Sequence, residues 1–224
     1  MVLGTRRSEC GEHSRSSTAI SWLTRTIAQK LWLFVGWGCF LISAAFAGPI
    51  HDAAKAGDAD ALAKLLDAGE NIEEQTATGE TPLISASLAG QTKIVEFLLA
   101  RHAMIEARNN YGLTPLHAVA YGGHADTAAV LIAHGAAVDD DKNRYHTTPL
   151  IVAAEDGHTE IVKLLAGKGA KLEVAEVNGF TALTQALFVE KWETVDVLLA
   201  AGATCQPKEI LGESLWVDCN KRKK

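Results

Sequence analysis

One motif recurs at almost fixed intervals and limits what this chain can fold into. "TPLI" starts at Thr81, "TPLH" at Thr114, "TPLI" at Thr148 and "TALT" at Thr181, at spacings of 33, 34 and 33 residues. A degenerate copy, "GPIHDAA", puts Pro49 another 33 residues ahead of Pro82. A second motif follows each full copy: "TKIVEFLLARHA", "ADTAAVLIAHGA", "TEIVKLLAGKGA" and "ETVDVLLAAGA". A period of this length marks a solenoid, whose units bury their apolar faces only against each other.

Local chemistry turns each unit into two helices. The threonine of each TPL box suits an N-cap, and the proline after it suits the first helical turn. The first helix is short and ends at Gly90, Gly123 or Gly157, where glycine takes a left-handed conformation easily. Thr92 or Thr159 then opens a second helix. In it, Ile94, Val95, Leu98 and Leu99 fall at helical spacing for one buried face, and Ile161, Val162, Leu164 and Leu165 repeat the pattern. Gly135, Gly169 and Gly202 close the second helix, and an extended turn leads onward. The chain is 48% hydrophobic but only 6% aromatic, so small aliphatic side chains must fill a tightly packed helical core.

These boxes resemble the ankyrin repeat over residues 48–205, about five repeats. The resemblance implies an all-α solenoid of about five helix-turn-helix repeats, and a C-terminal helical cap is expected at 206–224. It also implies structural roles for histidines that could otherwise suggest a metal site. His117 stands in the TPLH position, which in the family makes hydrogen bonds across the turn, and His124 and His158 follow the interhelix glycine. The same likeness implies a protein-binding function through the turn tips and first helices. The recognition positions it points to are Gln75 and Glu80 in the second repeat and Arg108, Tyr111, Leu113 and Tyr121 in the third. In the fourth they are Arg144, Tyr145, Glu155 and Asp156, and in the fifth Val177, Phe180 and Phe188. Tyr111, Tyr121, Tyr145, Phe180 and Phe188 form an aromatic series in a chain poor in aromatics, and aromatics and arginine are the usual interface anchors. The alternative is that some of them pack between repeats.

Residues 1–47 read differently. They hold five cationic side chains (Arg6, Arg7, Arg15, Arg25, Lys30) against Glu9 and Glu12, a surplus of three; the whole chain is at −6, so the rest carries −9. Residues 31–50, "LWLFVGWGCFLISAAFAGPI", carry no charge and include Ala45-Phe46-Ala47, an A-x-A pattern. This is the form of a secretory signal, with cleavage expected between Ala47 and Gly48. An uncleaved membrane anchor is the alternative, since about 20 apolar residues span a bilayer. A lipoprotein signal fits less well, because Gly36-Trp37-Gly38 lacks the usual leucine three places before Cys39 and Cys39 sits inside the apolar run; a twin-arginine signal at Arg6-Arg7 fits less well, because "RRSECGE" lacks the expected apolar residue after the arginines.

Catalytic motifs are not found in the sequence. It holds no HExxH, CxxC pair, phosphate loop or nucleotide-binding glycine pattern, so the expectation is a non-enzymatic protein with no cofactor and no metal. Glu155 and Asp156 are neighbours on one helix and diverge, a poor acid/base pair. Asp139-Asp140-Asp141 reads as a solvated tip beside Lys142. The acidic body disfavours nucleic acid. The expected partner is a protein, not a small-molecule substrate, and the chain is expected to be a monomer that is not membrane-embedded once mature. The favoured setting is the bacterial periplasm; an effector that binds host proteins and a membrane-anchored scaffold are the alternatives. The 34-residue spacing places an extra residue in "DDDKNRYH", with His146 where a glycine is expected, so this tip should be the longest and bear Arg144 and Tyr145 outward.

Of four cysteines, cleavage after Ala47 would remove Cys10 and Cys39 and leave Cys205 and Cys219. A bond between them is expected to staple the cap, with Ile210, Leu211, Leu215 and Trp216 as its apolar face; two separate buried thiols are the alternative. The terminal "KRKK" reads as a solvated, mobile end.

Overall fold

A computed structural model describes residues 48–223. Residues 1–47, and with them the expected leader and its expected Ala47 boundary, lie outside the described residues; Gly48 is the first within them. Five helix pairs follow one another: α1 (Pro49–Ala56) with α2 (Ala59–Asp67), α3 (Pro82–Leu88) with α4 (Thr92–Ala100), α5 (Pro115–Gly122) with α6 (Ala125–Ala133), α7 (Pro149–Asp156) with α8 (Thr159–Gly167), and α9 (Ala182–Phe188) with α10 (Trp192–Ala200). Two more helices, α11 (Lys208–Leu211) and α12 (Glu213–Arg222), close the row. First helices pack on first helices and second on second.

The caps form as the TPL boxes require. Thr81, Thr148 and Thr181 accept hydrogen bonds from the backbone N–H three residues on. The core is aliphatic: Leu83, Leu116, Leu150 and Leu183 from the boxes and Leu62, Leu98, Leu131 and Leu165 from the second helices are all fully buried. Burying one such side chain contributes about 1.5–3 kcal/mol. Leu99 and Leu164, expected on the buried face, are only half-buried, because a nine-residue helix in a stack turns a narrower stripe inward.

Side chains also tie each repeat to the one before. His124 and His158 donate from Nε2 to the carbonyls of Leu88 (3.1 Å) and Tyr121 (2.9 Å), and Gln91 donates likewise to Lys55 (3.0 Å). The carboxylates of Glu73, Glu106, Asp139 and Glu173 accept from the backbone N–H of Met104, Ala137, Lys171 and Thr204 at 2.7–2.8 Å. Asp139 is therefore a rung of a ladder, not part of a solvated tip. Its neighbour Asp140 corrects that reading further: it is 7% exposed and is held by Arg108.

The extra residue of the fourth unit sits in the turn that carries Asp141 and Lys142, and Arg144 beyond it is exposed while Tyr145 is half-buried. His146 occupies the slot that glycine fills before the other TPL boxes: φ is 52° at His146 and 78°, 83° and 84° at Gly79, Gly112 and Gly179. A side chain in this region costs roughly 1–2 kcal/mol, partly offset by the greater freedom that glycine has in the unfolded chain. His146→Gly is therefore expected to raise stability by up to about 1 kcal/mol in urea unfolding. A loss of stability would show that the His146 side chain contributes more than its backbone costs.

The C-terminal cap differs in detail from expectation. Gly212 (φ 78°, ψ 162°) breaks it into two helices, which resets the face that α12 turns to the stack. Leu211 and Cys219 are buried, but Trp216 is 36% exposed. Cys205 and Cys219 are bonded, with Cα atoms 6.1 Å apart. Arg222, expected in a free tail, reaches back to both oxygens of Asp196 (2.8 and 3.0 Å) and over the Trp192 ring (4.7 Å).

Candidate recognition surface

The turn tips and the ends of the first helices form a surface whose residues divide into buried supports and outward groups. Three residues expected to bind a partner belong to the supports. Glu80 is fully buried: its carboxylate accepts from the Thr78 hydroxyl (2.9 Å) and lies 3.9 Å from Lys55 Nζ. Leu113 is 3% exposed. Both precede a TPL threonine, a position that points under the tip and into the stack. Arg108 is the third: its guanidinium forks onto Asp140 at 2.7 and 2.9 Å and also donates to the carbonyls of Gly112 (2.8 Å) and Lys142 (3.2 Å). Burial alone would push the Asp140 carboxyl up, but the hydrogen bonds and charge of Arg108 outweigh it and hold that carboxyl below its usual range.

The remaining tip groups, with Arg144 and Val177 exposed and Tyr111, Tyr145, Phe180 and Phe188 half-buried, are brought together across repeats. Tyr111 and Tyr145 stack with ring centroids 6.4 Å apart, and the Arg144 guanidinium lies 5.5 Å from the Tyr111 ring. Backbone bonds fix their order: Arg144 N–H donates to the Tyr111 carbonyl (3.0 Å), and Val177 N–H to the Tyr145 carbonyl (2.9 Å). Val177, 61% exposed, extends the strip onto the fifth repeat, where Phe180 and Phe188 meet edge to face at 5.0 Å. Gln75 is exposed on the second repeat's tip. Tyr121, half-buried at the end of α5, lies near α7's acidic end: burial pushes its phenol up, and Asp156 and Glu155 push the same way. The surface thus pairs a cation-and-aromatic tip with an acidic patch at the far end of the first helix.

The histidines are part of the framework. His117 is fully buried; its Nδ1 faces the Thr114 hydroxyl (2.8 Å) and N–H (3.3 Å), and its Nε2 donates to the Thr147 carbonyl (3.1 Å). Since the carbonyl only accepts, the proton sits on Nε2 and Nδ1 accepts. Burial drives its pKa down to about 4. Among the described residues no three His, Cys, Asp or Glu side chains gather as a metal site, and no helix is long and apolar enough to cross a membrane. The carboxylate ladder was missed in the sequence, although Glu73, Glu106, Asp139 and Glu173 recur there at spacings of 33, 33 and 34.

A family model for ankyrin repeats, in three copies, matches residues 50–142 and again 137–209. No curated protein matches the chain as a relative. Ankyrin repeats are generally protein-binding modules and typically non-catalytic. The matched span takes in all five helix pairs, and the TPL caps, bridging histidines and buried leucines recur within it; the chain belongs to the ankyrin-repeat family.

Proposed function

We propose that this protein works after export, in the periplasm or beyond, as a non-catalytic module that binds a partner protein through its tips and first helices and assists or restrains it. The observation that carries the binding reading is the stacked Tyr111–Tyr145 pair with Arg144 against it, an anchor that joins the tips of the third and fourth repeats. Planar rings lose little rotamer freedom on binding, and arginine adds charge and stacking, so such clusters hold most of an interface's energy. Tyr121, Glu155, Asp156, Val177, Phe180 and Phe188 would extend the contact. Affinity capture from an envelope extract should retain the partner on wild type. The Tyr111→Ala/Tyr121→Ala/Tyr145→Ala variant should lose at least about 2 kcal/mol of binding, roughly thirtyfold, with helical content near wild type. Arg144→Glu, at an exposed position, should weaken capture without touching the fold. Equal capture by wild type and both variants would count against this surface.

Export is supported by the basic lead, the apolar run and Ala45-Phe46-Ala47, and by a cysteine pair suited to an oxidising compartment. The reading divides the chain into a leader (1–47), a repeat domain (48–205) and a stapled cap (206–224). Cross-linking across 14 residues of sequence contributes roughly 3 kcal/mol in the chain-entropy model. Intact-mass measurement on the exported protein should find a chain that starts at Gly48 and is two hydrogens lighter than the dithiol form, with Cys205 and Cys219 peptides linked. Freely alkylating thiols would remove the staple, and a start upstream of Ala45 would remove the cleavage.

A further inference from the structure

The first repeat differs from the others at its N-cap. The later first helices start from a threonine, but α1 starts from Gly48, whose carbonyl accepts from the N–H groups of His51 (2.9 Å) and Asp52 (3.3 Å). His51 stands three residues after its N-cap, as His117 stands after Thr114. It is fully buried, and its Nε2 reaches the carbonyls of Glu74 (3.0 Å) and Glu80 (2.9 Å), so Nδ1 is left as an acceptor. In the third repeat the equivalent atom meets the N-cap hydroxyl and N–H. Here Gly48 has no hydroxyl, and His51 Nδ1 is buried without a partner. A second orphan lies at the same corner: Glu74 Oε2 is buried and also unpartnered.

The Glu74 carboxylate crowds one particular place on Gly48. A Cβ built there would lie 2.8 Å from Oε1 and 3.3 Å from Oε2. That is too close for carbon, but it is the separation of a charge-assisted N–H···O bond, about 2.7–2.9 Å. The three substituents of a glycine Cα other than its carbonyl carbon are related by turns of about 120° about the Cα–C bond, so a terminal nitrogen can rotate into that place.

We propose that removal of the leader makes Gly48 a docked chain terminus, its ammonium seated between the Glu74 carboxylate and Nδ1 of His51 so that it locks the first repeat. The proposal rests on the export reading above. Hydrolysis of the Ala47–Gly48 bond by a signal endopeptidase puts the water hydroxyl on the Ala47 carbonyl carbon and a hydrogen on the Gly48 nitrogen. The new amine takes a further proton from solvent below a pH of about 7.7–8.0. One amide N–H thus becomes three donors and a positive charge, enough for both orphan acceptors. A cation at a helix N-terminus is unfavourable by itself, and Glu74 offsets it. The other charges nearby are Asp52 in the first turn of α1, Glu73, which is engaged with the Met104 N–H, and the Lys55–Glu80 pair. A Cβ at position 48 would push the Glu74 carboxylate out of this corner, so glycine leaves the place open for the terminal nitrogen.

The test uses the exported protein recovered from the envelope, as wild type and as Glu74→Gln. N-terminal sequencing comes first, then titration of the Gly48 amine by NMR with labelled glycine. In wild type the amine should titrate at least about 0.5 pH unit above the ordinary range, and Glu74→Gln should return it there. Acetylating the terminus should lower the thermal midpoint of wild type and leave that of Glu74→Gln unmoved. Should Glu74→Gln fail to fold, acetylation of wild type decides: an unmoved midpoint overturns the dock. Equal amine titration in the two proteins overturns it as well. A recovered chain that begins upstream of Gly48 overturns the export reading and the dock together, whereas a chain that begins at Gly48 with an ordinary amine overturns the dock alone.

Discussion

Wild-type protein is expected to lose about 3 kcal/mol of stability between pH 7 and pH 4 through one side chain, His117. The folded protein holds this fully buried imidazole neutral down to a pKa of about 4, while the unfolded chain protonates it near 6.5. Above pH 6.5 both states are neutral and His117 adds no slope. Below it the unfolded chain binds a proton that the folded one refuses, so stability falls by about 1.4 kcal/mol per pH unit until pH 4. The Thr147 hydrogen bond and the Asp140 charge oppose this shift, but burial outweighs them. Carboxyls that burial raises, Glu73 and Glu176 among them, act in the opposite sense. They are common to wild type and a His117→Gln variant, so the difference between the two isolates the histidine. Urea unfolding at pH 7.0 and 4.5 should show the variant, weaker at neutral pH, losing less on acidification. Parallel losses would mean that His117 does not control the acid limb.

The second large effect is steric. Gly90 ends the first helix of its repeat at φ 68°, and a Cβ there would meet the His124 ring at 2.4–2.6 Å. Gly90→Ala should therefore cost about 2–3 kcal/mol: roughly 1–2 for the left-handed backbone and about 1 for the displaced His124–Leu88 bond. In a His124→Ala background the ring is gone and only the backbone cost remains, so the two substitutions should couple by about 1 kcal/mol in a double-mutant cycle. Additive losses would place the cost of Gly90→Ala in the backbone alone. Because a repeat leans only on its neighbours, melting should start at the first two helix pairs, seen as early amide exchange in α1–α4.

What the sequence by itself determined is what every repeat must do for itself. The threonine caps, the turn glycines and the spacing of leucines are local requirements of a short helix pair, so the TPL boxes at Thr81, Thr114, Thr148 and Thr181 marked the elements and their register. His117, His124 and His158 were legible as structural only through the family resemblance, because the carbonyls they hold, Thr147, Leu88 and Tyr121, lie 30, 36 and 37 residues away. Which tip residues face outward was decided only by the tertiary structure. Glu80, Leu113 and Arg108 occupy positions that resemblance assigns to recognition, yet Glu80 and Leu113 are buried and Arg108 is turned onto Asp140, 32 residues further along the chain. The cap followed the same rule: its apolar residues were legible, but Gly212 reset the helix, leaving Trp216 at the surface and bringing Arg222 onto Asp196. A side chain at a repeat boundary is oriented by partners about one period away. The repeat pattern records that such a partner exists but not which side chain supplies it, and only the packed stack brings the two together.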